Sequence, residues 1–520
     1  MTRKRILISF LLVLFTVAVG MLCRYFMLKR DASTHASCIP KNAIAVISLN
    51  SKAMIADLEL ESPIFFDNIN RKSNFKNLEA ILKAIELNNG AGLNETSEIL
   101  AFFYQNNDAA FIGIVAALKD SLAFGKLIRQ ELSKQYSIQI SKLSGLTIAN
   151  FDTSAAALSW NKTTALYILP FSNHGYKDCA AQCVKLLKQA EGESILSNKN
   201  FKTHSKLNYD AGIWMQAAPL LNFTDGGKLF RVALENINTI SLALNFQNGE
   251  VIINRIIENE KKNNSTPYNA PLLLTCDPKD VSGFLQIPLD FSNEAGTDVY
   301  VNAPPYNILP FSTEQLKELS KYLDGNCTVL IHDTLSYQFE NENNSYIETS
   351  ERAPTFQKRR TITTGISVCF STKNERIVTK LISDWMKKDS IGIKNNKWII
   401  NENGETFRLG ISQNILTYTN WPQSDGVKRE FPNEFKMHAV YYPTKNIFYS
   451  SNESILSFLL PNYNTTKKLL SENIKLLTIS KPTIINNTRT SQIRLIMTNK
   501  DINSIVQLEK LFQNSFSNEN

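Results

Sequence analysis

Histidine is scarce in this chain, with five in 520 residues, at 35, 174, 204, 332 and 438. None of them shares a turn of helix with another, and H-E-x-x-H is absent, so the usual helical zinc site is not written here. G-x-S-x-G, the Walker loop and a G-x-G-x-x-G opening a helix are missing as well. Those absences remove the sequence signatures of α/β-hydrolases, P-loop enzymes and dinucleotide-binding folds. Cysteine is sparse: 23, 38, 179, 183, 276, 327 and 369. Cys23 falls in an apolar run, and the other six are too scattered for a disulfide-built scaffold, although their even number permits pairing in an exported domain. Positive charge is not concentrated either. The formal net charge is +8, but the longest basic run beyond the N-terminal region is Lys358-Arg359-Arg360. It reads as a solvated surface, and no nucleic-acid partner is expected.

What is present begins with an apolar N-terminus. Arg3-Lys4-Arg5 precedes Ile6–Cys23, eighteen residues without a charge. As a helix that run is about 27 Å long, close to the hydrocarbon core of a bilayer. Tyr25-Phe26-Met27-Leu28 extends it past Arg24, whose side chain can snorkel, and Lys29-Arg30 marks the far end. The run is long for a cleaved signal peptide, and Met21, Leu22 and Arg24 suit no small-x-small cleavage site. Leu22 before Cys23 also fits a lipoprotein poorly, which stays as the alternative. The expectation is a transmembrane anchor at 6–28 behind a short tail at 1–5, with the remaining chain outside the cytoplasm.

Beyond a juxtamembrane stretch at 29–37, the chain matches itself weakly in order. Cys38-Ile39-Pro40-Lys41-Asn42 returns as Cys276-Asp277-Pro278-Lys279-Asp280. Gly113-Ile114-Val115-Ala116-Ala117-Leu118 returns as Gly365-Ile366-Ser367-Val368-Cys369-Phe370, and each block precedes a helical period. Lys126-Leu127-Ile128 matches Lys380-Leu381-Ile382, and Glu235-Asn236-Ile237 matches Glu472-Asn473-Ile474. The reading is a first repeat at 38–260, a polar linker at 261–270, a second repeat at 271–505 and a C-terminal end at 506–520. Helices are expected around Leu78–Leu87, Leu122–Leu132, Asp178–Ala190, Lys228–Leu234, Thr313–Tyr322, Ile377–Met386, Ser454–Leu460 and Ile502–Phe512. Short half-buried strands fill the rest, with a hairpin at Asn248-Gly249. Runs of strands broken by single helices point to α+β: a transmembrane helix followed by two tandem, related α+β halves with mainly antiparallel sheets.

The opening of the soluble region, Ile39-Pro40-Lys41-Asn42-Ala43 running into Ile44–Leu49, and the closing Met497-Thr498-Asn499-Lys500-Asp501-Ile502-Asn503-Ser504 resemble a group of uncharacterised exported proteins from Bacteroidetes. The resemblance implies a bacterial envelope location. Members of that group are typically lipoproteins, from which Leu22 departs, and the group supplies no catalytic residues.

Several local features have the residue types of a chemical site. His332-Asp333 follows an apolar strand and has the makings of a base pair, but a strand-end histidine is the plainer reading. Cys179 and Cys183 stand four apart on one helical face, as a redox or metal pair would; two core cysteines explain them as well. Asp225-Gly226-Gly227-Lys228 before a helix reads as a turn and cap rather than an anion cradle. Trp160, Trp214, Trp385, Trp398 and Trp421 read as core rather than as a sugar-binding face. Asn94, Asn161, Asn222 and Asn452 open chance glycosylation sequons in an Asn-rich chain. No catalytic, cofactor or metal residue is assigned. The expected function is a membrane-anchored, non-enzymatic envelope protein that binds or organises a partner, either a protein or an envelope component. The alternatives are an extracytoplasmic hydrolase-like enzyme with its site between the halves, and a cytosol-facing tethered protein.

Overall fold

The computed structural model describes, with gaps of a few residues, 34–50, 92–133, 138–170, 178–221, 237–259, 281–288, 306–340, 358–421, 439–441 and 474–508. The chain divides into two compact units. One holds residues up to Phe223 with Ile237–Phe246 and Arg255–Glu258; the other holds Thr224–Asn236, Gln247–Asn254 and Asn259–Asn520.

Among the described residues the first unit has nine strands: β1 (Ala45–Leu49), β2 (Ile99–Asn106), β3 (Ala109–Ala117), β4 (Ile138–Leu143), β5 (Leu146–Phe151), β6 (Ala156–Trp160), β7 (Thr164–Pro170), β8 (Ala211–Gln216) and β9 (Ile237–Gln247). Every neighbour is antiparallel, in the order β4-β5-β6-β7-β3-β2-β1-β8-β9. Helix α1 (Ser121–Leu127) starts where Asp120 accepts hydrogen bonds from the Leu122 and Ala123 amides, satisfying donors that a helix start leaves open. It runs on into a π turn at Ile128–Leu132. Phe124, Ile128 and Leu132 pack over β5–β7 and the edge of β3. Helix α2 (Cys179–Leu187), capped by Asp178, and α3 (Lys199–His204) lie in the β7–β8 connection; Cys179, Cys183, Leu186 and Phe201 pack with Leu100, Val115, Leu166 and Trp214 on the opposite face of the sheet. A short α4 (Ala217–Leu221) follows β8.

After β10 (Glu250–Asn259), the second unit contains β11 (Val281–Pro288), β12 (Leu323–Glu340), β13 (Lys358–Thr372), β14 (Ile393–Lys394), β15 (Lys397–Glu402), β16 (Glu405–Ser412), β17 (Ile415–Thr419), β18 (Ala439–Tyr441), β19 (Ile474–Ile479), β20 (Thr483–Ile485) and β21 (Thr488–Met497). Its antiparallel order is β14-β15-β16-β17-β13-β12-β11-β18-β19-β21, with β20 on β21. From β4 and β14 across to β9 and β19, the two units thread their strands identically. The start of β10 joins the second unit, where β10 pairs with β21. There Glu250 and Arg494 form a two-pronged ion pair, and Gln492 donates to Asn254. Helix α5 (Thr313–Ser320), opened by a Ser312–Gln315 capping box, and α6 (Glu375–Lys388) cover one face of the sheet. Leu316, Leu319, Val378, Ile382 and Met386 pack there with Val329, Val368, Phe370, Leu409 and Tyr418.

This overturns the α+β expectation. The chain is mostly β-sheet, in two antiparallel sheets. The helices expected around 122–132, 178–190, 313–322 and 377–386 do form, at Ser121–Leu127 with its π turn, Cys179–Leu187, Thr313–Ser320 and Glu375–Lys388, but the strands are longer than their apolar cores. Only Gly365–Phe370 stands out in the sequence, whereas β13 spans Lys358–Thr372 and its register with β12 continues to Lys358↔Glu340. Antiparallel backbone pairing carries on through Thr-rich polar segments whose side chains give no hydrophobic signal. No helix among the described residues is long and apolar enough to cross a membrane. The expected anchor at 6–28, and the helices expected at 78–87, 228–234 and 454–460, lie outside the described residues.

Candidate functional site

A buried cluster of polar side chains forms on β12, β13 and β17. A register shift between Ile331 and Thr334 re-aims the chain at His332. The His332 ring is fully buried, and its Nε2 lies 2.7 Å from Ser367 Oγ. Ser367 and Thr419 are direct partners across β13 and β17, with their hydroxyls 2.6 Å apart. Thr419 Oγ1 donates to the Ile366 carbonyl at 3.0 Å and accepts from the Trp421 amide at 2.9 Å. Each hydroxyl has one proton. With the Thr419 proton on Ile366 O, the Ser367 proton goes to Thr419, and the imidazole donates to Ser367. That arrangement satisfies every contact and leaves no base aimed at the Ser367 proton, so Ser367 is not an activated nucleophile.

Trp421 seals this cluster. Its ring stacks on His332 with centroids 4.8 Å apart and planes 10° from parallel. Gly365 makes the room: a Cβ there would lie 2.2 Å from Trp421 Cε3 and 2.8 Å from His332 Cβ. Asn420 Oδ1 accepts from the Ile366 amide, and Arg408 donates to the Trp421 carbonyl. The Asp333 side chain lies outside the described residues. Hence His332 meets Ser367, a partner the sequence did not suggest because 35 residues and a strand pairing separate them.

The other candidates disperse. Cys179 and Cys183 face the core; Cys183 Sγ points at the Ala157 and Leu166 carbonyls. Burial pushes the Cys179 thiol up to about 12 and holds Cys183 well above the ordinary range. Burial also raises Cys38 to about 11 and Cys327 well above its usual value. All five described cysteines are buried and unpaired in disulfides, and among the described residues no three His, Cys, Asp or Glu converge. Trp160 meets Phe124 edge-on, Trp214 meets Phe201, and Trp385 meets Phe311. Trp398 also lies in a core, so these tryptophans form no shared platform. His35 is buried with Nε2 2.8 Å from the Glu98 carbonyl, and His204 stacks on Tyr209. Residues 225–228 lie outside the described residues.

The most distinctive surface is apolar. On the α1 side of the first sheet, cross-strand registers line up three rows. One is Ile112, Phe103, Ala45, Met215, Ile240; the next is Ile114, Ala101, Ile47, Ile213, Leu242; the third is Ala116, Ile99, Leu49, Ala211, Leu244. No polar side chain interrupts them. Ile112 and Ile114 pack against the cluster that α1 supplies. Away from that end nearly all are only half-buried, and Ile47, in the middle strand, is 44% exposed. The other side of the same strands is closed: Val46, Leu100, Phe102, Val115 and Trp214 are each at most 2% exposed. The signal for this surface was legible in Ile99–Tyr104 and Ala109–Ala117, near-continuous apolar runs that mark strands apolar on both faces.

Comparison with known proteins adds little. No family model matches the chain, and no curated protein matches it. Two solved structures, described as crystal forms IV and III of TP0453, are similar at TM-scores of 0.29 each, with 11% and 13% identity. The alignments cover 43% and 45% of this chain and 79% and 84% of those chains. Likeness at that level carries no argument about fold or function.

Proposed function

We propose that this chain is a membrane-anchored, non-enzymatic binding protein of the bacterial envelope, and that the Ile47-centred face of its first unit receives an amphipathic helix of a partner protein. The observation that carries the reading is the three-row apolar face, open over β2, β1, β8 and β9. Contiguous exposed apolar surface of this kind marks interaction sites. Four strands of about five residues offer roughly 300 Å², too little for the ~800 Å² per partner of a standard interface between globular bodies. One helix about 10 Å across fits it. The adjoining end of the face is already covered in that manner by α1, and in the second unit α5 and α6 pack with the matching residues Ile366 and Val368 of β13 and Val329 of β12. The anchor and the envelope setting rest on Ile6–Cys23 and on the likeness to exported Bacteroidetes proteins. The sealed Ser367 and the buried thiols support a binding role over a hydrolytic one.

The test is a photoreactive side chain placed at Ile47 in the full-length protein in its native cells. The expected adduct maps to the apolar stripe of a helix in another protein. Adducts confined to lipid, to a second copy, or to residues 51–91 of the same chain would overturn the reading, as would no adduct at all.

A further inference from the structure

The first sheet ends on β4, and this edge is unlike the corresponding edge of the second. Among the described residues β4 pairs only with β5. Five of its six side chains are exposed, so from Gln139 to Leu143 the strand is open on both faces. Two of them are large and apolar, Ile140 at 37% and Leu143 at 43% exposure. The strand has no proline, no glycine and no bulge, the devices that usually blunt an edge, and Lys142 is its one charge. In the second unit the matching strand β14 has only two residues, Ile393–Lys394, which is itself a blunted edge.

The turn decides which backbone groups face outward. Ser144 and Gly145 have φ of 52° and 82°, a two-residue loop with Leu143 opposite Leu146. In such a hairpin the residues flanking the turn exchange both hydrogen bonds, and the pattern then alternates. Leu143, Ser141 and Gln139 therefore bond to β5, while Lys142, Ile140 and Ile138 direct N–H and C=O away from the sheet.

We propose that two copies of this chain pair through β4, antiparallel about a two-fold axis at Ile140, joining their first sheets into one. Only outward residues can bond to outward residues, so the register centres on Ile140 or is displaced by whole residues that keep this parity. Centred on Ile140, the two isoleucines face each other and Ile138 opposes Lys142 of the second copy; the two lysines do not meet. An apolar pair at the centre and no like-charge contact make the strand its own complement. The alternative centre at Ser141 places Lys142 against Ile140 and gives up the isoleucine pair. This contact is independent of the Ile47 face. It is small, so the pairing is reversible and weak by itself.

Disulfide trapping tests it. In the full chain carrying Cys23→Ser and Cys276→Ser, Ile140→Cys should form a cross-linked dimer under mild oxidation at least ten times faster than Lys119→Cys, an exposed site off the edge. Lys142→Pro removes an outward N–H without touching the β5 ladder and should cut that rate about tenfold, with the thermal unfolding of the monomer retained. Equal rates at 140 and 119 would overturn the proposal. Faster trapping through Ser141→Cys than through Ile140→Cys would overturn the register.

Discussion

In the first unit β3 presents Val115 toward α2, inside a core of Leu100, Leu166 and Trp214. In the second unit the same place in the same strand order is held by Ser367, which bonds to His332 and Thr419. The sheets share their threading, yet at this place the first packs apolar side chains and the second packs hydroxyls. The connections differ accordingly. Residues 171–210, between β7 and β8, carry α2 and α3, whereas β17 and β18 are separated only by residues 420–438. A face that receives a helix can be made of Val, Leu and Trp. On the Ser367 face no helix packs among the described residues; there small hydroxyl side chains satisfy each other, and Trp421 caps them. Strand order and face chemistry are therefore separable properties of this fold.

The largest effects that bear on this contrast lie in the two apolar cores. Trp214→Ala and Phe370→Ala each remove a fully buried ring, and each should cost about 3–5 kcal/mol in denaturant unfolding. A loss under about 1 kcal/mol for Trp214→Ala would mean that the first unit's α2 face is not a packed core. A smaller effect is expected from making the second unit resemble the first. Ser367→Val strips a partner from His332 Nε2 and from Thr419, and should cost about 1–3 kcal/mol although it adds apolar volume. A stabilised variant would show that the polar cluster tolerates apolar filling and that the contrast between the faces is incidental.

The smallest effect concerns the first unit alone. Burial holds the His35 imidazole below its usual range, partly offset by its bond to the Glu98 carbonyl. The unfolded chain then binds this proton more readily than the folded one. Its contribution is present above the ordinary histidine pKa of about 6.5 and is lost as pH falls through the folded value. Melting temperatures taken from pH 8 to pH 5 should fall more steeply for the native chain than for His35→Gln, which retains a donor for Glu98. Parallel curves would show that His35 is not desolvated.

How far these features were readable before the fold depends on the range of the interaction. Asp120, Asp178 and the Ser312–Gln315 box announce their helices within four residues, and Asn248-Gly249 announces its hairpin, with Gly249 at φ +67°. The candidate site was less legible. The sequence sets His332 beside Asp333 and not beside Ser367, because it displays only neighbours along the chain as partners. The apolar face was half legible: β2 and β3 advertise two apolar sides, but which side would be covered is not a property of either strand.

By itself, then, the sequence determined the local elements and the recurrence of the Gly-Ile block that lies within β3 at Gly113 and within β13 at Gly365. Helix caps, tight turns and hydrophobic periods are settled by contacts a few residues apart. The tertiary structure decided how far β12 and β13 run, that residues 332, 367 and 419 meet under Trp421, and that Ile47 lies open while Val46 is sealed. Those outcomes depend on antiparallel registers between strands distant in the chain, where pairing is set by the backbone and by what packs on each face, and no window of sequence contains both partners.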